Sequence, residues 1–375
     1  MPMDLTREQL ASLETPCLVI DMQAVRANLQ SMQRAVSAAG CRLRPHIKTH
    51  KMPLFARMQI EAGACGITCA KVSEAEVMAD GGLRDIFIAY PMVGEHRIRR
   101  AAALARRVDR LILAVDSSES ADALSKAAVR ENTGFEVRLE IDTGAGRTGV
   151  PLERAVDLAA QIHAMPGLRL TGIYTFKSLV YQGAPTADIE LAAREEGELM
   201  AEAARRIREA GVPIEDISAG SSPTGEAVAR TGLVNEVRPG TYIFKDQMLC
   251  REGVARPEEI AVRYAATVVS AQHAEYAVLD GGCKFFATDV VPDAAPHFYH
   301  GYAAVDGRPE LCLSRMNEEH GILTAESGAT GLHVGDVLLL TPIHVCTAVN
   351  QQNAVWLLDN GTLTRVPVKA RGMTV

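Results

Sequence analysis

No apolar run in the 375 residues reaches the ~20 residues that a membrane-spanning helix needs. The first dozen residues are mixed polar and carry no signal-peptide core, so a cytoplasmic chain is expected. Positive charge is in deficit: 39 Lys and Arg against 46 Asp and Glu leave a net charge of -7. Nucleic acid and anionic membranes are held by clustered Lys and Arg, so neither is expected as a partner. A small substrate remains compatible, because an acidic chain can carry a local basic pocket. The eight cysteines are too thinly spread for a disulfide scaffold. Cys17, Cys69, Cys283 and Cys312 sit in apolar strand-like runs and read as small buried hydrophobes. Internal repeats and low-complexity segments are missing too. What is present is 47% hydrophobic and 23% charged residues, enough for a sizeable core. The length allows two or three domains, and a single α/β barrel can take about 250 residues of it.

From about residue 40 to 245, short apolar runs alternate with longer amphipathic ones. The strand candidates are Leu43–Ile47, Gly66–Ala70, Ile86–Tyr90, Leu111–Val115, Glu136–Ile141, Leu170–Phe176, Asp216–Ala219 and Glu236–Phe244. Helix candidates rich in Ala, Leu, Glu and Arg follow most of them: Ser73–Asp80, Glu95–Arg106, Ser118–Arg130, Leu152–His163 and Ala187–Ala210. Such alternation implies a parallel sheet, and eight units imply an α/β fold of the (β/α)8 TIM-like barrel type. No obvious helix follows Phe244. A further strand candidate, Cys17–Asp21, with a helix candidate at Met22–Ala39, is surplus to the barrel. After about Asp246 the texture is β-rich, with runs such as Ile260–Val269, Tyr276–Asp280, Leu311–Arg315, Val337–Thr341 and Ala354–Leu358 between Gly, Asp and Asn turns. The expected domains are a barrel over 23–245 and a C-terminal β-rich domain over 246–375, completed by 1–22.

Four segments could carry chemistry. The first, Arg44-Pro45-His46-Ile47-Lys48-Thr49-His50-Lys51, lies at the C-terminal end of the first barrel strand, where barrel active sites sit. A lysine drawn into the mouth there loses hydration and becomes a nucleophile; a solvated strand-to-helix loop would have the same composition. The second, Asp142-Thr143-Gly144-Ala145-Gly146-Arg147-Thr148-Gly149, lets backbone approach a ligand and offers the planar Arg147 head, although glycine-rich turns also arise for structural reasons. The third, Ser218-Ala219-Gly220-Ser221-Ser222-Pro223-Thr224-Gly225, combines hydroxyls with a helix start, which suits phosphate, or is an ordinary capped helix. The fourth is His344-Val345-Cys346. On a strand, residues i and i+2 share a face, so imidazole and thiolate could hold one borderline metal such as zinc with positions left open; a buried His beside a buried Cys is the plainer alternative. A fifth polar cluster, Asn317-Glu318-Glu319-His320-Gly321, is either an exposed turn or a contribution to the pocket.

Taken together, these motifs resemble the D-threonine aldolase and D-serine dehydratase family, within the alanine-racemase-like fold of pyridoxal phosphate enzymes. RPHIKTHK is similar to the family's lysine motif, DTGAGRTG to its arginine loop and SAGSSPTG to its phosphate loop. Val237 to Tyr242 (VRPGTY), the NEEHG cluster and the HxC pair follow in family order. The resemblance covers nearly the whole chain. It implies pyridoxal 5'-phosphate bonded to Lys48, with His46 nearby and Arg147 approaching the ring or its phenolic oxygen. It implies Ser221, Ser222, Thr224 and Tyr242 on the phosphate, and a divalent metal, zinc or manganese, on His344 and Cys346. It also implies a homodimer. One departure stands out. The family usually has histidine and glycine after the strand Leu170–Phe176, but here the segment is Ile173 to Tyr181 and no histidine lies between His163 and His273. Phe176 or Tyr181 would cover the ring, and Lys177 or Tyr181 would serve as acid or base.

The leading expectation from this resemblance is a lyase that cleaves a D-β-hydroxy-α-amino acid by a retro-aldol reaction to glycine and an aldehyde. The alternative is a dehydratase of D-serine or D-3-hydroxyaspartate type, giving a 2-oxo acid and ammonia. Cys346 leans towards the dehydratase, since other members carry a carboxylate there. An amino-acid racemase would need a second base, for which Tyr299 or Tyr302 are candidates. A cofactor-carrying protein without turnover would not need a C-terminal third bearing HVC and NEEHG.

Overall fold

The computed structural model describes residue 3 and residues 5–326 and 328–375. The chain divides into two compact units. One comprises Gln30–Lys48, Met52–Gly240 and Met373–Val375; the other comprises Met1–Leu29, Thr49–Lys51 and Thr241–Gly372.

The first unit is a closed parallel barrel. Its strands are Arg42–Leu43, Ile67–Cys69, Asp85–Pro91, Arg110–Val115, Phe135–Asp142, Leu168–Tyr174, Asp216–Ala219 and Glu236–Val237, each paired with its successor from the second onward. The last pairs with the first. The ring closes through an isolated bridge between His46 and Thr68, with Thr68 N–H donating to the Pro45 carbonyl at 2.8 Å. The apolar runs Ile86–Ile88 and Leu111–Val115 are buried throughout, as strands covered on both faces must be. Local signals set the helices. Ser117 caps Ser118–Arg130 by accepting the Ser120 N–H at 3.3 Å, and Asp188 caps Ile189–Glu209 by accepting the Leu191 N–H at 2.9 Å.

Two expected strands are shorter than the apolar runs suggested. Leu43–Ile47 yields a ladder only over Arg42–Leu43 before the 3₁₀ turn Ile47–Thr49, and Glu236–Phe244 yields Glu236–Val237 before the 3₁₀ turn Thr241–Ile243. Pro45 and Pro239 interrupt the two runs, and proline has no N–H to donate to a ladder.

The barrel interior holds a polar cluster. Glu236 accepts from Arg44 Nε at 2.8 Å, Arg138 Nη1 at 2.5 Å and Ser218 Oγ at 2.7 Å. Arg138 also reaches Asp216, which pairs with Arg42. Burial by itself would raise the Glu236 carboxyl, but Arg138 and Arg44 hold it well below the ordinary carboxylate range.

The second unit is β-rich. Six strands close on themselves: Val262–Ser270, Tyr276–Leu279, Gly321–Ala325, Leu311–Met316, Ala303–Val305 and Val337–Pro342, which pairs back to Val262–Ser270. Cys17–Asp21 adds to this sheet antiparallel to Val262–Ser270, followed by Ala354–Asp359 in parallel and Thr362–Pro367 at the edge. Leu13, Cys17, Val19, Ala265 and Leu358 form one buried cluster. Asn317–His320 is an exposed hairpin turn, with Glu318 and Glu319 both paired to Lys284 at 3.0 and 2.9 Å.

Candidate active site

The barrel brings two of the expected residues, Lys48 and Arg147, over the ring of a third, Phe176, at the C-terminal ends of its strands. Lys48 is partly buried in the 3₁₀ turn after the first strand, and its Nζ lies 5.5 Å from the centroid of Phe176. Arg147, exposed in the glycine-rich turn, sets its guanidinium 4.3 Å from the same ring. His46 Nδ1 accepts the Lys48 backbone N–H at 3.3 Å.

The segment after Tyr174 is tightly held. Lys177 is 1% exposed and its ammonium donates to the Glu195 carboxylate. Tyr181 lies in a two-residue hairpin with Ala184–Pro185, and its hydroxyl accepts from Gln182 Nε2 at 3.1 Å.

The loop from Gly220 to Gly225 is shaped from within. Ser221 N–H donates to Thr224 Oγ1 at 3.1 Å, and Gly225 N–H donates to the Ser221 carbonyl at 2.8 Å. Gly240 N–H donates to Ser222 Oγ at 3.2 Å. Gly220 has φ +79°, and a Cβ there would meet Val228 at 2.8 Å, so glycine is required on both counts. An amine, a run of hydroxyls and backbone N–H groups, an aromatic face and a guanidinium make a donor set suited to an aldehyde-bearing aromatic phosphate. Tyr242, the remaining expected phosphate residue, is buried in the β-rich unit, in the turn Thr241–Ile243.

The β-rich unit holds the imidazole–thiol pair. The strand expected through His344-Val345-Cys346 is corrected: the strand ends at Pro342, His344 is the N-cap, and Cys346 lies in the first turn of the helix Val345–Gln351. The turn begins there because buried Asp246 accepts the Val345 N–H at 3.0 Å. The two side chains nonetheless meet through a hydrogen bond. His344 Nδ1 is 2.6 Å from Asp289 Oδ2, and Thr347 Oγ1 donates to Asp289 Oδ1 at 2.6 Å. Burial would lower the His344 pKa, but Cys346 and Asp289 outweigh it and lift it to about 11. Cys346 Sγ also lies 3.1 Å from Thr49 Oγ1 and 3.5 Å from Thr241 Oγ1. Among the described residues, no cluster of three or more His, Cys, Asp or Glu side chains is arranged to hold a metal.

A family model described as the alanine racemase N-terminal domain matches residues 20–248, and one described as a putative serine dehydratase domain matches residues 261–358. The chain is 30% identical to a D-threonine aldolase of an Arthrobacter species over 371 residues, covering 98% of this chain and 95% of that one. It is 35% identical to the D-threo-3-hydroxyaspartate dehydratase of Delftia sp. strain HT23 over 354 residues, covering 91% and 93%. The chain belongs to the D-threonine aldolase and D-serine dehydratase family. The solved Delftia enzyme superposes with a TM-score of 0.88 at 33% identity, covering 96% of this chain and 98% of that one. The D-threonine aldolase of Filomicrobium marinum gives 0.86 at 30%, covering 98% of each. The fold is the alanine-racemase fold, and the chain is an enzyme of this family of lyases.

Several polar residues of this aldolase and dehydratase relative escaped the sequence reading. Glu140 accepts the Tyr174 hydroxyl at 2.8 Å and the Thr148 hydroxyl at 2.9 Å; burial raises its pKa and these donors oppose the rise. Buried Arg238 donates to Ser218 Oγ at 2.5 Å and to the Thr175 carbonyl. The strand Phe135–Asp142 did carry a signal: Glu136, Arg138 and Glu140 alternate with apolar residues, so all three face one way, into the barrel. Asp289, the carboxylate behind His344, lies in a stretch without any periodicity and gave none.

Proposed function

We propose that this chain is a pyridoxal phosphate- and divalent metal-dependent lyase that removes water from a D-β-hydroxy-α-amino acid, releasing a 2-oxo acid and ammonia. The observation carrying this reading is the imidazole–thiol pair backed by a carboxylate. Metal-bound histidines commonly give their second ring N–H to a carboxylate, and Asp289 occupies that position on His344. Solved structures of D-threo-3-hydroxyaspartate dehydratase include a histidine-to-alanine variant and a cysteine-to-alanine variant described as metal-free, at positions two apart, the spacing of His344 and Cys346.

Pyridoxal phosphate would supply the electron sink for charge developing at Cα, and the metal a Lewis acid for the departing hydroxyl. Lys48 would hold the cofactor, and its amine would take the α-proton. The loop from Gly220 to Gly225 would seat the phosphate through backbone N–H groups with Ser221 and Ser222. Phe176 and Arg147 would face the ring. His344 and Cys346 would hold the metal, and Asp289 would fix the ring nitrogen that His344 presents. Elimination needs no further base on the barrel, which suits the segment after Tyr174, where Lys177 is committed to Glu195.

A retro-aldol reaction on the same substrates is the second reading, favoured by similarity to the Arthrobacter D-threonine aldolase. It needs a base for the β-hydroxyl. Product analysis separates the two. Purified protein with pyridoxal phosphate and Zn²⁺ or Mn²⁺ is incubated with D-threonine and with D-threo-3-hydroxyaspartate. A 2-oxo acid with ammonia is expected; glycine with an aldehyde would replace dehydration by the aldolase reading. Activity that survives EDTA unchanged would overturn the role of the metal.

A further inference from the structure

Helix Ile189–Glu209 carries two consecutive acids, Glu195 and Glu196, in its second turn. Neighbours on a helix point about 100° apart, so these carboxylates face different surroundings, and each holds a different loop of the site. Glu195 takes the Lys177 ammonium and, with both oxygens at 3.1 Å, the Gln182 N–H. Glu196, fully buried, accepts the Gly220 N–H at 3.1 Å and the Thr224 hydroxyl at 3.2 Å. The next residue, Gly197, lets the helix come close: a Cβ there would meet Thr231 Oγ1 at 3.1 Å.

Because Thr224 gives its proton to Glu196 while accepting the Ser221 N–H, that proton is not available to an anion. The Gly220 N–H is spent on Glu196 as well. These groups shape the loop rather than contact its ligand. A buried carboxylate beside an anion-binding loop is electrostatically adverse. Burial raises its pKa, while the Gly220 N–H, Lys177 and Arg238 favour its charged form.

We propose that Glu195 and Glu196 are positioning residues that act as a two-sided clamp, one setting the Lys177–Pro185 segment and the other the Gly220–Gly225 loop, both from one rigid helix. The inference rests on the reading that this loop receives the cofactor phosphate. It makes a prediction opposite in sign to simple electrostatics. Removing a nearby negative charge should tighten phosphate binding, whereas loss of the clamp should weaken it.

The test measures pyridoxal phosphate affinity by absorbance and amide hydrogen exchange in the full-length protein. E196Q is expected to raise the cofactor Kd about tenfold and to speed exchange in residues 219–226, leaving 177–186 unchanged. T224V should do the same, and T224S should stay near wild type, so the test survives if E196Q fails to fold. E195Q is expected to speed exchange in residues 177–186 and raise substrate KM, with cofactor Kd unchanged. Cofactor binding that is tighter or unchanged in both E196Q and T224V, or exchange that rises equally in both segments for every variant, would overturn the clamp. If the wild type binds no pyridoxal phosphate, the functional reading falls, and the exchange measurements on the apoprotein still decide the clamp.

Discussion

Glu236 offers the sharpest test of how the barrel is held together. Its carboxylate is fully buried and receives two arginines and a serine within 2.8 Å. E236Q keeps the shape but removes the charge, leaving Arg44 and Arg138 buried without their shared counter-ion. Breaking a buried pair on one side costs about 3–5 kcal/mol. For a unit of roughly 200 residues each kcal/mol moves the melting temperature by about 2–4 °C, so a fall on the order of 10 °C is expected. Urea unfolding should be followed by far-UV circular dichroism, dominated by the helices of the barrel, and by fluorescence of Trp356, the single tryptophan, in the β-rich unit. The pH dependence supplies a second check. The folded pKa of Glu236 is depressed, so its contribution is complete above the unfolded carboxylate range near 4.5 and is lost as pH falls towards the folded value. Wild type and variant should therefore run parallel near neutral pH and converge in acid. A difference below about 1 kcal/mol at pH 7 would refute the reasoning, since surface pairs reach only that value.

Other expectations are more direct. Lys48→Ala should abolish the covalent cofactor trapped by borohydride; retention of a trapped adduct would misassign the lysine. Cys346→Ala should remove metal, measured by elemental analysis, with the cofactor still bound, and Asp289→Asn should weaken metal affinity by about 10–100-fold; unchanged metal content in both would make the pair part of the core. Burial pushes the Glu252 carboxyl up to about 8. A raised acid pKa makes folding hold an extra proton, so the stability of the wild type should fall as pH rises from about 4.5 to 8 relative to E252Q. Parallel profiles would place Glu252 in solvent.

What could be read from the sequence was what local chemistry determines. Ser118–Arg130 and Asp216–Ala219 emerge with the bounds their periodicity implies, because a serine cap and a short apolar run decide them. Lys48 and Arg147 come to the ring of Phe176 because barrel topology gathers strand ends whatever their separation in the chain. The misses are non-local. Val345 looks like the next residue of a strand, and only Asp246, distant in sequence, shows that a helix starts there. The strands Ala303–Val305 and Gly321–Ala325 are short and acquire their ladder from partners rather than from pattern. Glu195 and Glu196 stand side by side on a helix rich in acids, and nothing local in the sequence marks the loops they hold.

The β-rich unit is assembled from both ends of the chain, and this has a consequence for synthesis. Cys17 pairs with Ala265, and Val19 pairs with Trp356. At roughly 5–20 residues per second, the apolar strand Cys17–Asp21 waits on the order of 10–50 s on the ribosome for its first partner. During that time the entire barrel sequence emerges ahead of it. Vectorial translation thus favours an order in which the inserted domain folds first and its host closes last. It also leaves the early apolar strand without its partners until the host domain is made.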